Sequence, residues 1–177
     1  MANIMTTYVK VGSLNEETHN KFVKLFEKSD DLVIHYNTLY GTDFESPEDI
    51  DREWITENVG TKWLSIECED LEYSDTMELV LETAWSVPTE YLQKIVEFIG
   101  GDVVVYGTYE DESYDPIGAF VYAVDYDDIE DYEEVEHDRI FEDDDYLEEM
   151  YDGLYELRDS LYEGYREVMD ERSVEKD

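Results

Sequence analysis

The sequence predicts an α+β fold: an antiparallel sheet with helices on one face, followed by a long acidic C-terminal helix. Three observations carry this. Short segments with two-residue alternation flank two segments of helical periodicity, which orders the chain β-α-β-β-α-β with a further strand. With 42% hydrophobic and 14% aromatic residues and three prolines, the chain has the material for a core despite its charge. Beyond residue 124 the alternation gives way to apolar positions at helical spacing within an acid-rich tail.

Thr7, Val9 and Val11 alternate with Tyr8 and Lys10, a strand closed by Gly12. Ser13 and Asn15 offer candidate helix caps, with Glu16 and Glu17 in the first turn and Phe22, Val23, Leu25 and Phe26 as the apolar stripe. Residues 29–58 read as an insertion, in which Asp31–Tyr40 fits either helix or strand and Ser46-Pro47-Glu48-Asp49 resembles a helix start. Trp63–Glu69 and Met77–Thr83 alternate about the polar turn Asp70–Asp75. Pro88-Thr89-Glu90 opens a second helix, with Leu92, Ile95, Val96 and Ile99 on one face and Gly100-Gly101 as the stop. Val103–Tyr109 and Ile117–Tyr126 form a hairpin around Glu110–Pro116. This order is the ferredoxin-like pattern. One core of Val9, Phe22, Phe26, Ile66, Leu79, Leu81, Leu92, Ile95, Val104 and Phe120 is expected, within a domain of residues 1–124.

Fifty acidic residues against twelve basic give a net charge of −38. Such a chain repels nucleic acid and anionic membranes, and is drawn to basic surfaces by electrostatic steering. A salt-adapted surface is the plain alternative, and would show as unfolding in dilute buffer. Cys68 is the only cysteine, so no intramolecular disulfide forms and a reducing compartment, the cytoplasm, is expected. The opening MANIMTTYVK lacks an apolar signal core, and no stretch has the length of apolar sequence that spans a bilayer.

No cofactor or metal is expected. His19, His35 and His137 are far apart and none stands at ligand spacing with Cys68, while Asp125–Glu136 lacks the glycine and ligand order of a calcium loop. Carboxylate pairs are too abundant to signal acid–base catalysis, and Gly100-Gly101 follows a helix, whereas a phosphate cradle precedes one. The chain therefore reads as no enzyme, with no catalytic residue. Lys62, Trp63 and Trp85 form the best candidate cleft, set against the plainer reading of two tryptophans packed into the core.

The extension, residues 125–177, holds 24 acidic and five basic residues, half of the net charge. Leu147, Met150, Tyr151, Leu154, Tyr155, Leu161, Tyr162, Tyr165, Val168 and Met169 recur at helical spacing, so Asp143–Asp170 reads as one amphipathic helix with weak points at Gly153 and Gly164. Asp145, Glu148, Asp152, Glu156, Asp159, Glu163, Glu167 and Asp170 step by three or four, which places them on one helix face. A solvated face usually mixes lysine or arginine among its acids; here only Arg158, Arg166 and Arg172 are available. The seven tyrosines from Tyr126 to Tyr165 divide between the seam under this helix and a contact surface.

Three stretches together resemble the YubB-type ferredoxin-like domain of phage and plasmid proteins: Ala2-Asn3 with the strand through Val11, Asn58-Val59-Gly60-Thr61-Lys62-Trp63, and Thr83-Ala84-Trp85-Ser86-Val87-Pro88. The family patterns are N-W-G-T-K-W-D and T-A-W-S-P-P. The resemblance spans residues 2–122, and the chain departs from it at Val59, Leu64 and Val87. It implies the fold and a mobile-element origin, and no activity. In charge and shape alone, with no motif, the chain also resembles the DNA-mimic antirestriction proteins of phages and plasmids.

These readings converge on an expected function. The acidic face imitates the phosphate backbone of duplex DNA and occupies the DNA site of a basic DNA-binding host protein in the bacterial cytoplasm, such as a restriction, CRISPR-type or recombination nuclease, without binding nucleic acid itself. The alternative is an acidic protein-binding module that captures a basic partner without tracing a DNA path. A homodimer would lengthen a mimic of two-stranded duplex, while self-repulsion at −38 per chain opposes it unless an apolar patch compensates.

Overall fold

The computed structural model describes residues 3–175. Ala2 of the N-terminal motif and the last two residues of the extension lie outside the described residues. The fold is α+β, a six-stranded antiparallel sheet of ferredoxin-like type with strand order β2-β3-β1-β4-β5-β6. Its strands are β1 (Ile4–Gly12), β2 (Leu64–Glu67), β3 (Met77–Ala84), β4 (Val104–Asp111), β5 (Ile117–Ala123) and β6 (Tyr126–Asp131). The helices are α1 (Glu16–Phe26), α2 (Leu32–Tyr40), α3 (Arg52–Val59), α4 (Thr89–Ile99), a short α5 (His137–Ile140) and α6 (Asp144–Glu175).

Local chemistry sets most boundaries. The Asn15 side chain accepts from the Thr18 amide at 2.9 Å, and the Thr18 hydroxyl accepts from the Asn15 amide at 2.9 Å, a reciprocal cap that starts α1. Asp31 caps α2 by accepting from the Val33 and Ile34 amides, and Asp51 caps α3 by accepting from the Trp54 amide, without the reciprocal bond. Asp31–Tyr40 is thus resolved as helix, and Pro47–Asp49 is a single 3₁₀ turn. The insertion folds back as α2 and α3 against α4, thickening the helical layer without adding a strand.

The two faces of the sheet differ. Met5, Val9 and Val11 of β1, with Leu79, Leu81, Tyr109 and Phe120, point into the main core beneath α1, α2 and α4. Val104, Ala119 and Val121 point the other way and pack against Leu161 and Tyr165 of α6. Val104 therefore departs from the single core expected for it: Val103 and Val105 face the main core, and two-residue alternation sends Val104 to the opposite side. Ile66 reaches the main core but is only partly buried, because β2 is a four-residue edge strand.

The chain beyond residue 124 does not begin as helix. Val124 and Asp125 make a two-residue turn, with Asp125 at φ 57, and β6 pairs with β5 from Ala123↔Tyr126 to Gly118↔Asp131. The extension thus contributes one strand and one face-covering helix to the same sheet.

Candidate docking surface

Helix α6 is amphipathic in a strict sense. Tyr146, Met150, Leu154, Leu161 and Tyr165 are buried on its inner side. Asp145, Glu148, Asp152, Glu156, Asp159, Glu163, Glu167 and Asp170 are all exposed. At about 100° per residue these eight fall within roughly 100° of one another, opposite the buried set. They form one outward stripe over roughly 37 Å of a helix whose 32 residues extend further still. Among the described residues, one of the eight is ion-paired: Asp159, with Arg158 Nε at 3.1 Å.

Packing tolerates this crowding of like charge. Each buried side chain under α6 contributes about 1.5–3 kcal/mol, whereas each i,i+3 or i,i+4 acid pair costs a few tenths of a kcal/mol. Five buried side chains therefore outweigh the whole stripe.

Two residues against the helix explain how β6 sits beside it. A Cβ at Gly153 would lie 2.3 Å from the Tyr132 hydroxyl, so the absence of a side chain there lets Tyr132 close on the helix backbone. Tyr126 stands near Gly164 at the other end of the strand. The weak points noted in the sequence are thus contact points with the sheet edge. Between them, Asp128 and Glu130 fall on the face of β6 that α6 covers, since their partners Val121 and Ala119 face the helix. They add a second acidic row, which sequence reasoning missed; the alternation Tyr126, Asp128, Glu130, Tyr132 was its signal.

On its other flank α6 is tied to the sheet through Glu110. Tyr151 donates to Glu110 Oε2 at 2.7 Å and Tyr8 donates to Glu110 Oε1 at 3.1 Å. Burial, with Glu110 adding, pushes the Tyr8 hydroxyl up to about 12, so it remains a donor at neutral pH. Of the seven tyrosines, Tyr146 and Tyr165 are buried, Tyr126, Tyr132, Tyr151 and Tyr162 are half-buried, and Tyr155 is exposed.

The tryptophan pair does not pack as core. Trp63 and Trp85 are 37% and 49% exposed, and the Lys62 ammonium lies 3.8 Å from the centre of the Trp85 ring. The two motifs that hold them interlock through Thr61, whose hydroxyl bonds both the amide and the carbonyl of Ala84, and through Ser86, which donates to Gly60 O at 3.0 Å. The histidines stay separate: His35 is buried between Leu25 O and the Tyr91 hydroxyl, His19 is buried against Tyr73, and His137 is exposed. Among the described residues no three His, Cys, Asp or Glu side chains form a metal-binding group, and no helix is long and apolar enough to cross a membrane.

Comparison with known proteins returns no match among protein-family models, curated proteins or solved structures.

Proposed function

We propose that the chain is a DNA-mimic inhibitor that occupies the DNA-binding site of a basic host protein in the bacterial cytoplasm, a restriction, CRISPR-type or recombination nuclease being the class of target. The observation that carries this is the stripe on α6: eight exposed carboxylates on one rigid face, all but Asp159 without an ion-pair partner among the described residues. Its length of roughly 37 Å matches about one turn of duplex. Residues three or four apart on a helix stand about 5–6 Å apart, the same scale as the charges along one DNA strand. A rigid helix presents these charges without the ordering cost that a disordered acidic tail meets on binding. The resemblance of the chain to phage and plasmid domains fits a target among host defences.

Electrostatics also defines what the protein does not bind. At −38 it repels duplex DNA, so a gel shift with duplex alone stays blank. The test is a panel of purified restriction, CRISPR-type and recombination nucleases, assayed for cleavage with the protein present. Inhibition of at least one, relieved by added non-cleavable duplex and weakening steeply as salt rises, is the expected result. Inhibition unmoved by competing duplex would replace mimicry with the alternative reading, an acidic module that docks on a basic partner away from its DNA path.

A further inference from the structure

The second face of the sheet is only half covered. Helix α6 lies over β4, β5 and β6 and leaves β1, β3 and β2 open. At about 4.8 Å between strands, the open half is roughly as wide as one α-helix, whose diameter is about 10 Å. A trough runs along it. A cleft of about 430 Å³ between Tyr8, Val80, Gly107 and the α6 wall joins a cleft of about 710 Å³ toward the β2–β3 turn, the two sharing Lys10, Glu78 and Val80.

The floor of the trough is aromatic and its rim is acidic. Tyr8 and Tyr155 are 44% and 43% exposed on opposite sides of it. Glu67, Glu69, Asp70 and Glu72 line the β2 end, and Glu82 stands exposed on the same face of β3. Glu69 at its side raises the Glu67 carboxyl above its ordinary range, with Glu82 adding to the effect, the sign of carboxylates left without cations. The cations at hand are already engaged: Lys10 with Glu78 at 3.5 Å and Arg158 with Asp159 at 3.1 Å.

We propose that this open half-face is a docking site for a basic amphipathic helix of the partner protein, which lies beside α6 and completes the second helical layer. Charge complementarity selects the occupant. Lysines and arginines on its flank meet Glu67, Glu69 and Glu82, and its apolar stripe meets Tyr8, Val80 and Tyr155. A second copy of the chain would bring its own −38 to the same face. The site rests on the reading that the partner is basic. It is separate from the outward stripe of α6, and adds a contact that depends less on salt because it buries aromatic surface.

The test is an NMR titration of the ¹⁵N-labelled chain with a synthetic helical peptide of lysine and leucine, about 18 residues long, whose roughly 27 Å matches the length of β1. Saturable shifts are expected at Thr6–Lys10, Glu78–Glu82 and Tyr151–Arg158. Tyr8→Ala/Tyr155→Ala should weaken the peptide at least about tenfold, and Glu67→Gln/Glu82→Gln, which leaves the aromatic floor intact, should do likewise. Asp152→Asn/Glu156→Gln/Asp159→Asn/Glu163→Gln should change the affinity less than about threefold. Shifts confined to the outward face of α6 would overturn the proposal while leaving the mimic intact. Self-association dispersed by Tyr8→Ala/Tyr155→Ala would overturn it in favour of a dimer face. Peptide binding in the trough together with a blank nuclease panel would keep the docking site and discard the mimicry.

Discussion

The two faces of the sheet are built from the same strands and solve different problems. The first is closed by α1, α2, α3 and α4 over a core in which Phe22, Tyr91, Leu92, Ile95 and Phe120 are fully buried. The second is covered by α6, with Ile140 of α5 at one end, through smaller clusters around Leu161 and Tyr165 and around Tyr146 and Met150. Stability is therefore concentrated on one side, while the other side holds a charged rod in a fixed orientation. The difference teaches that the acidic helix is carried by the fold more than it builds it.

The largest expected effect breaks the first face. Phe22→Ala leaves a cavity in a fully buried cluster and should cost about 3–5 kcal/mol, read from denaturant unfolding. Leu161→Ala, at the 7%-exposed seam of α6, should cost about 2 kcal/mol, nearer the low end for leucine. Equal costs would mean that α6 is as integral to the core as α1.

A second measurement sharpens the same contrast through pH. Burial holds the His35 imidazole down at about 4, with the hydrogen bond at Leu25 O opposing that shift. A lowered histidine pKa makes the unfolded chain bind the proton first. Stability from this site is full above the ordinary pKa of about 6.5 and declines as pH falls toward 4, by about 2 kcal/mol between pH 7 and pH 5. His35→Gln should remove the histidine share of the slope, and a pH profile indistinguishable from the parent would refute a neutral buried imidazole.

The smallest effect on stability carries the largest consequence for function. Asp152→Asn/Glu156→Gln/Asp159→Asn/Glu163→Gln removes four charges at the middle of the stripe, and relief of repulsion should stabilise the fold by about 1 kcal/mol. Inhibition of a sensitive nuclease should fall at least about tenfold, and by less at high salt where those charges are already screened. Neutralising Glu16, Glu17, Glu27 and Asp30, exposed on the helical face, is the control and should leave inhibition nearly unchanged. Parallel behaviour of the two sets would reduce the stripe to a solvated surface.

Local pattern alone determined much of this protein. Alternation placed β1, β2, β3, β4 and β5, helical periodicity with caps placed α1 and α4, and the three-to-four spacing of acids put the eight carboxylates on one face of α6. These signals are legible because each depends only on neighbours within a turn or a strand. Tertiary structure decided the rest. Asp31–Tyr40 became helix because Tyr36 and Leu39 found a core against α4, and the acidic run after Asp125 became strand because β5 offered an open edge. That Val104 faces α6 and that Trp63 and Trp85 stay exposed depends on which layer lies above them. The open half-face beside Tyr8 is likewise invisible in the chain, since a strand pattern records which residues share a side and not whether anything covers it.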